Sequence, residues 1–135
     1  MEIKRKDTVE KGKVEYGGMS LRHERVENET LPKINIFFSM ENEERARQIG
    51  YGIEEEGLPR CGFESDNPFE EALEDTKKKG LGVAIALDKE KAQIFCRQFK
   101  KEEPFMHYAG IEDEALRVVG KNAARILKHK PFILE

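Results

Sequence analysis

The residues best suited to chemistry in this sequence are three consecutive glutamates, Glu54, Glu55 and Glu56, at the end of a predicted helix. The carboxyl end of a helix carries a partial negative charge, so each anion there costs about 0.3 to 1 kcal/mol. Stability alone would favour lysine at these positions. An exposed carboxylate in this place attracts a cation, either a metal ion or an arginine. Because one short cluster supplies too few ligands for a hard cation, a metal site here would be shared with a partner protein.

The alternative is that the glutamates form a solvated face, since 38% of the residues in this chain are charged. Helical periodicity distinguishes among them. The small and apolar residues around them recur at helical spacing and predict one buried stripe, which comprises Ala46, Ile49, Gly50, Ile53 and Gly57. Glu55 falls on the opposite face. Gly57 is also expected to end the helix in a left-handed conformation, and Pro59 prevents its continuation.

No other motif indicates chemistry by this chain alone. Cys61 and Cys96 are too few and too far apart for a disulfide framework or a zinc site. His23, His107 and His129 stand singly, without the spacing of a metal site. The sequence contains no GxGxxG or GxxxxGK[ST] phosphate loop and no GxSxG nucleophile motif. These features favour a regulatory or interaction subunit over an enzyme.

Length and charge limit the class of protein. A chain of 135 residues is expected to form one domain with a substantial core. Its net charge of −3 argues against a general nucleic-acid binder and against a polybasic membrane anchor. No apolar run approaches the roughly 18 residues needed to span a bilayer, and the first residues contain no signal-peptide core. We therefore expect a cytoplasmic protein.

Two regions of different composition follow each other along the chain. Residues 1–31 hold seven Lys or Arg, seven Asp or Glu and few large apolar side chains. This region cannot bury enough surface to fold alone, so we interpret it as a charged N-terminal arm, either mobile or docked on the domain. Residues 32–135 form the predicted α/β domain.

The domain alternates strands with helices. Apolar runs predict five strands, at residues 33–39, 58–64, 81–87, 92–98 and 105–109. Helices are predicted from a cap at Ser39 or Asn42 to the three glutamates, at 69–79 and at 113–130. The turn at 88–91 is too tight for a crossover helix, so the fourth strand must return antiparallel. The predicted fold is a three-layer α/β/α sandwich with a mostly parallel five-stranded sheet and one antiparallel strand.

Two stretches carry a family resemblance. They are GIEEEGLP at residues 52–59 and NAARILKHKPF at residues 122–132, with VAIALDKEKAQIF between them in the matching order. Together they resemble the small subunit of the glycerol and diol dehydratase reactivating factor, over residues 33–132. The resemblance implies the fold of the dehydratase medium subunit, which is also similar to an anticodon-binding-like fold, and this agrees with the predicted order of elements.

The resemblance implies a chaperone-like function in coenzyme B12 chemistry. The dehydratase inactivates itself and traps a damaged cobalamin, and the reactivating factor releases it with ATP. ATP hydrolysis belongs to a large partner subunit, so the small subunit is not expected to be an enzyme or to bind nucleotide or cobalamin alone. It is implied to mask the large subunit and to exchange with the dehydratase subunit whose fold it shares.

The resemblance also assigns roles to single residues. The middle glutamate of GIEEEG falls on Glu55 and is implied to contribute to a Mg2+ site shared at the interface with the large subunit. Helical periodicity places the same carboxylate away from the core. Glu54 and Glu56 are expected at the same interface. Asn122 and Arg125 match the second motif and are assigned either to packing or to the interface.

Other interpretations remain open. The chain could be a dehydratase-associated subunit or a relative with another protein partner. An anticodon-binding-like module would bind RNA in a salt-sensitive manner, which the net charge of −3 disfavours. A small flavodoxin-like enzyme would need a phosphate loop where SMENEE stands, and its carboxylates would repel phosphate. The arm at residues 1–31 departs from the family pattern. Homo-oligomerisation of the isolated chain and location inside a bacterial microcompartment are further options.

Overall fold

The computed structural model describes residues 32–78, 80–99 and 102–134. The arm predicted at residues 1–31 lies outside them and stays a prediction. The described elements, in chain order, are β1 (Ile34–Phe38), α1 (Glu43–Glu55), β2 (Arg60–Glu64), α2 (Pro68–Thr76), β3 (Val83–Leu87), β4 (Lys91–Cys96), β5 (Met106–Ala109) and α3 (Asp113–Lys128).

The five described strands form one mixed sheet in the order β2-β1-β3-β4-β5. Strand β1 is parallel to both β2 and β3, whereas β4 is antiparallel to β3 and β5. The predicted sheet, mostly parallel with one antiparallel strand, is therefore confirmed. Every residue of β3 is buried, as its uninterrupted apolar sequence VAIAL predicts for a central strand.

The antiparallel return of β4 follows from the tight turn before it. The Asp88 carboxylate Oδ1 accepts hydrogen bonds from the backbone N–H groups of Glu90, at 2.8 Å, and Lys91, at 2.9 Å. An aspartate that bonds to backbone amides two and three residues later stabilises a turn locally. The chain therefore reverses beside β3, without the crossover helix that a parallel strand would need.

The sheet has an apolar core on each face. On one face it packs against α1 and α3 through the larger cluster, whose fully buried side chains include Ile36, Ile49, Ile53, Ile85 and Leu116. On the other face α2 covers a smaller cluster, formed by Phe37, Ala72, Ala84, Ala86 and Phe95. These are the three predicted layers. None of the helices in the described ranges is long and apolar enough to cross a membrane.

Several elements are shorter than the apolar pattern predicted. Helix α2 ends at Thr76, and the Arg97 guanidinium binds carbonyl groups at and just beyond that end: Nε donates to the Thr76 oxygen at 2.8 Å, and Nη2 donates to that of Lys78. Helix α3 ends at Lys128, since His129 adopts a left-handed conformation with φ of 57°. Periodicity predicts where a helix lies more closely than where it ends.

The buried stripe of α1 differs from the prediction at one glycine. Gly52 is buried in it, whereas Gly57 is exposed with φ of 88° and provides the predicted left-handed end of the helix. Gly52 and Gly120 let α1 and α3 cross closely. A Cβ atom on Gly52 would overlap the carbonyl oxygen of Arg117, and one on Gly120 would overlap that of Ile49. The crossing places the end of α1 directly against the side of α3.

Candidate functional site

The three glutamates at the end of α1 point in different directions and have different exposure. The side chain of Glu54 is 53% exposed, that of Glu55 is 41% exposed and that of Glu56 is only 6% exposed. Successive helical positions are about 100° apart, so three adjacent side chains necessarily leave the helix on different faces. The acidic triplet therefore divides into a surface part and a buried part.

Glu55 lies at the surface, as helical periodicity predicted, and bonds to two cations of α3. Its Oε2 accepts a hydrogen bond from Arg117 Nη1 at 3.0 Å, and its Oε1 lies 3.3 Å from Lys121 Nζ. The close crossing at Gly52 and Gly120 brings these side chains within reach. Both carboxylate oxygens of Glu55 are thus already engaged with positive charge.

Tyr51 connects Glu55 to the second exposed carboxylate, Glu54. The guanidinium carbons of Arg117 and Arg60 lie 5.3 Å and 5.7 Å from the centroid of the Tyr51 ring, within the range of cation–π contacts. Arg60 Nε also donates to Glu54 Oε2 at 2.9 Å. Arg117 is further held by Gln48, whose Oε1 accepts from Nε at 3.2 Å. We call this set the Glu55 surface; it comprises Gln48, Tyr51, Glu54, Glu55, Arg60, Arg117 and Lys121.

Glu56 forms a separate ion cluster, in which a buried carboxylate meets three cations that reach the surface. Its Oε2 accepts two hydrogen bonds from Arg125, at 3.0 Å from Nε and 2.9 Å from Nη2, and its Oε1 accepts one from Lys130 at 3.1 Å. Lys128 Nζ donates to the backbone oxygen of Glu56 at 2.6 Å. Burial acts to raise the pKa of Glu56, but the hydrogen bonds and charges of Arg125 and Lys130 outweigh it and hold this pKa below its ordinary value of 4.5. We call these four residues the Glu56 cluster.

Asn122 and Arg125 secure the segment that follows α3. Asn122 is 1% exposed; its Nδ2 donates to Tyr108 Oη and to the Ile133 carbonyl, both at 3.0 Å, and its Oδ1 accepts from the Ile133 N–H at 2.8 Å. Arg125 Nη1 donates to the Pro131 carbonyl at 3.0 Å. Asn122 and Arg125 were predicted either to pack within the chain or to lie at an interface. The structure shows that both pack within the chain.

The glutamates that were expected at the interface differ in exposure. The side chain of Glu56 is buried and bonded within the chain, whereas Glu54 and Glu55 are accessible. An interface role for Glu54, Glu56, Asn122 and Arg125 stays a prediction. Of these four side chains, those of Glu54 and Glu55 are the most exposed.

The described residues do not form a complete metal site around Glu55. Within residues 32–78, 80–99 and 102–134, no group of three His, Cys, Asp or Glu side chains is arranged to hold a metal ion. Glu55 offers one accessible carboxylate, a suitable ligand for Mg2+, which usually binds one or two protein carboxylates and keeps several waters. The remaining charge and ligands would have to come from outside these residues.

Sequence reasoning missed the cations that face Glu55. Arg117, Lys121, Arg125 and Lys128 follow one another at spacings of four, four and three residues. Such spacing puts basic side chains along one stripe of a helix. A basic stripe on one helix and an acidic triplet on another could have indicated that the two helices pair through these charges. Nothing in the local sequence indicated the contact of Tyr51 with two arginines.

Comparisons with known proteins support the resemblance found in the sequence. Among solved structures, the chain is similar to one of diol dehydratase-reactivating factor complexed with ADP and Mg2+, with 27% identity and a TM-score of 0.66; 76% of this chain and 97% of that chain are covered. A glycerol dehydratase reactivase is also similar, with 20% identity, a TM-score of 0.67 and the same coverage, which shows a shared fold. The comparison with curated proteins gave no match.

The family of this chain is shown by a family model that matches most of its length. The model of the dehydratase medium subunit family matches residues 31–133, which include every described strand and helix. The reactivating-factor chain is covered almost completely, so the similarity is to that whole chain and not to a fragment of it. This protein belongs to the dehydratase medium subunit family.

Proposed function

We propose that this chain is the small subunit of a chaperone-like reactivating factor for a coenzyme B12-dependent glycerol or diol dehydratase. The observation that carries the proposal is the 27% identity to a chain of diol dehydratase-reactivating factor, over 97% of that chain. The family match and the similar fold of a glycerol dehydratase reactivase support it.

In this proposal the chain acts by binding and exchange, not by catalysis. It binds a large ATPase subunit, which hydrolyses the nucleotide. It then gives up its place to a dehydratase subunit of the same fold, and the opened dehydratase releases its damaged cobalamin. Membership of the medium subunit family supports this exchange, because two subunits with one fold can compete for one surface.

Glu55 is proposed to contribute a carboxylate to a Mg2+ ion shared with the large subunit. Three features support this role: the carboxylate is accessible, the described residues provide no complete metal site, and the similar reactivating factor was solved with ADP and Mg2+. Glu55 would supply one ligand and one negative charge. The ion itself would neutralise carboxylates that the two chains bring together.

Co-elution of the purified chain with the large subunit, with and without Mg2+, tests the proposal. We expect a complex that forms with Mg2+ and is weakened by Glu55→Ala. Glu74→Ala is the matched control, because Glu74 is an exposed carboxylate of α2, on the other face of the sheet, that also bonds to a cation, Lys77. Loss of association in both variants would contradict a specific role of Glu55.

Folding of the isolated chain separates binding from stability. Glu55→Ala should leave the fold intact, whereas Ile53→Ala should cost on the order of 2 to 5 kcal/mol, since Ile53 is 0% exposed in the core. Equal destabilisation by the two changes would contradict the shared metal site.

The family match also favours a second candidate, a subunit that stays associated with a dehydratase. This candidate predicts stable co-elution with the other dehydratase subunits and none with the large reactivase subunit. The same experiment, run with both sets of partners, distinguishes the two candidates.

A further inference from the structure

We infer that the last residues of the charged arm, residues 24–31, dock in an apolar groove between the end of β4 and the end of α3. The sequence leaves the arm either mobile or docked on the domain, and this groove offers it a docking place. The family match begins at residue 31, so nearly all of the arm lies outside the matched part of the chain. The inference does not depend on the proposed function.

The groove has the size and lining of a docking site. Its volume is about 460 Å3, and its apolar wall includes Phe99, Phe105, Ile126, Leu127 and Phe132. The rings of Phe99 and Phe132 pack edge to face with that of Phe105, at centroid distances of 5.6 Å and 6.1 Å. Phe105 nevertheless remains 39% exposed. Grooves of this volume with aromatic walls commonly bind small ligands or short peptide segments.

A surplus of positive charge lies beside the groove. Arg125, Lys128 and Lys130 share one carboxylate, that of Glu56, so two of their three charges have no counter-charge within the cluster. Arg125 and Lys130 also line the groove, together with His129. The side chains of Lys128 and Lys130 are 37% and 44% exposed, so they can bind further anions. The groove therefore suits an acidic peptide that carries an apolar side chain.

Residues 24–31, with the sequence ERVENETL, have this composition. They contain three glutamates and one arginine, which gives a net charge of −2. Charge is distributed unevenly along the arm, because five of its seven Lys or Arg residues lie within residues 1–13. Val26 supplies an apolar side chain between Glu24 and Glu27. The part of the arm nearest the domain is thus the part whose charge complements the groove.

The arm joins the domain at the edge of the sheet where the groove lies. Strand β3 is parallel to β1 and antiparallel to β4, so the end of β4 lies beside the start of β1. Only β3 separates β1 from β4, which makes the lateral distance about 10 Å. Ile34 and Cys96 belong to the same core cluster, so they lie on the same face of the sheet. An extended chain spans about 3.3 Å per residue, so about five residues before Leu31 suffice to bring Val26 to the groove.

Photocrosslinking within the whole chain of 135 residues tests the inference. The photoreactive residue p-benzoylphenylalanine replaces Val26, and mass spectrometry locates the crosslinks. We expect them at the end of β4, at Phe105 and at residues 126–132, within single chains and with a yield that does not change on dilution. The same probe in place of Val9, farther along the arm, is the control and should show no preference for the groove.

The acidic residues of the segment can be tested without changing the domain. Replacing the three glutamates nearest the domain by glutamine should lower the yield of groove crosslinks about threefold or more. The matched control removes the same number of negative charges farther along the arm and should change the yield by less than about 1.5-fold, since distant surface charges are screened by salt. The first variant combines Glu24→Gln, Glu27→Gln and Glu29→Gln, and the control combines Glu2→Gln, Glu10→Gln and Glu15→Gln.

The wall of the groove is tested by Phe105→Glu. This change adds a carboxylate to the apolar wall and should lower the yield of groove crosslinks as strongly as the loss of the three glutamates. Met40→Glu is the matched control, because Met40 is also an exposed apolar residue, at 65%, but follows β1 at the opposite edge of the sheet. Thermal unfolding that matches the parent chain excludes loss of fold as the cause. If Phe105→Glu does not fold, the variants of the arm still decide the test.

Three results would overturn the inference. Crosslinks from position 26 that concentrate elsewhere on the domain, or that spread without preference for the groove, would show that the segment does not dock there. Crosslinks that join two chains and increase with protein concentration would assign the groove to a second copy of this chain. Equal yields in the two glutamine variants of the arm would remove the charge pairing that selects residues 24–31.

Discussion

Glu55 and Glu56 are neighbours in sequence, yet each belongs to an ion cluster of a different kind. Both bind cations of the second half of the chain: Arg117 and Lys121 for Glu55, and Arg125 among others for Glu56. The Glu55 side chain is 41% exposed and that of Glu56 is 6% exposed. Residue type and bonding are similar, so exposure is what separates the two clusters.

This difference in exposure indicates which cluster can take part in recognition. An exposed ion pair contributes about 0 to 1 kcal/mol and can exchange its partners at little cost. A buried carboxylate that loses its partners leaves uncompensated charges inside the protein, at a cost of about 3 to 5 kcal/mol. The Glu56 cluster is therefore suited to holding the end of α1 to the segment after α3, and the Glu55 surface is suited to binding another molecule.

The largest effect in this comparison is expected for Glu56→Gln. This change removes the negative charge that Arg125 and Lys130 share and leaves both cations beside a neutral group. We expect the free energy of unfolding to fall by about 1.5 to 3 kcal/mol, measured by chemical denaturation. The loss is limited because the side chains of Arg125 and Lys130 are 21% and 44% exposed, so water can solvate part of the charge left behind. A fall of less than about 1 kcal/mol would mean that the cluster behaves as a surface pair.

Gly120→Ala should disturb both clusters at once. The added Cβ would overlap the carbonyl oxygen of Ile49 and push α3 away from α1. Overpacking of this kind typically costs about 1 to 3 kcal/mol. The separation should also loosen the contact of Arg117 with Glu55, and a double-mutant cycle with Glu55→Gln would detect this as non-additivity. Unchanged stability of Gly120→Ala would contradict the close crossing.

Acid should weaken the Glu56 cluster. Because the pKa of Glu56 is lowered in the folded state, its contribution to stability is present above the ordinary pKa of 4.5 and is lost as the pH falls through the folded value. Asp75 acts in the opposite direction: burial raises its pKa, so acid relieves a cost of folding. The measurement is therefore a difference in unfolding free energy between the parent chain and Glu56→Gln. We expect that difference to shrink below pH 4.5, and a constant difference would contradict the assignment.

The smallest effect on stability is expected for Glu55→Gln. The pairs with Arg117 and Lys121 are partly exposed, so the isolated chain should lose no more than about 1 kcal/mol. Thermal unfolding of this variant beside Glu56→Gln makes the comparison direct. Similar losses in the two variants would remove the distinction between a recognition cluster and a structural cluster.

Most of the fold was predictable because its signals are local. The apolar run VAIAL predicted a central strand, and the short polar turn after it predicted an antiparallel return. Helix ends were less predictable, since the carbonyl groups at the end of α2 and just beyond it are bound by a distant side chain, Arg97. Such contacts depend on the packing of elements that are far apart in the chain.

The order of the elements, the fold class and the exposure of Glu55 could be predicted from the sequence, because they follow from the spacing of apolar residues along single helices and strands. The side chains that each glutamate contacts depend on how the helices pack in three dimensions. Arg117 is 62 residues from Glu55, and Arg125 is 69 residues from Glu56. Periodicity gives the direction of a side chain from its own helix, but the neighbour that covers it depends on how closely two helices cross. At Gly52 and Gly120 that crossing is close enough to bury one glutamate under α3 and the segment that follows it, and to leave the other at the surface.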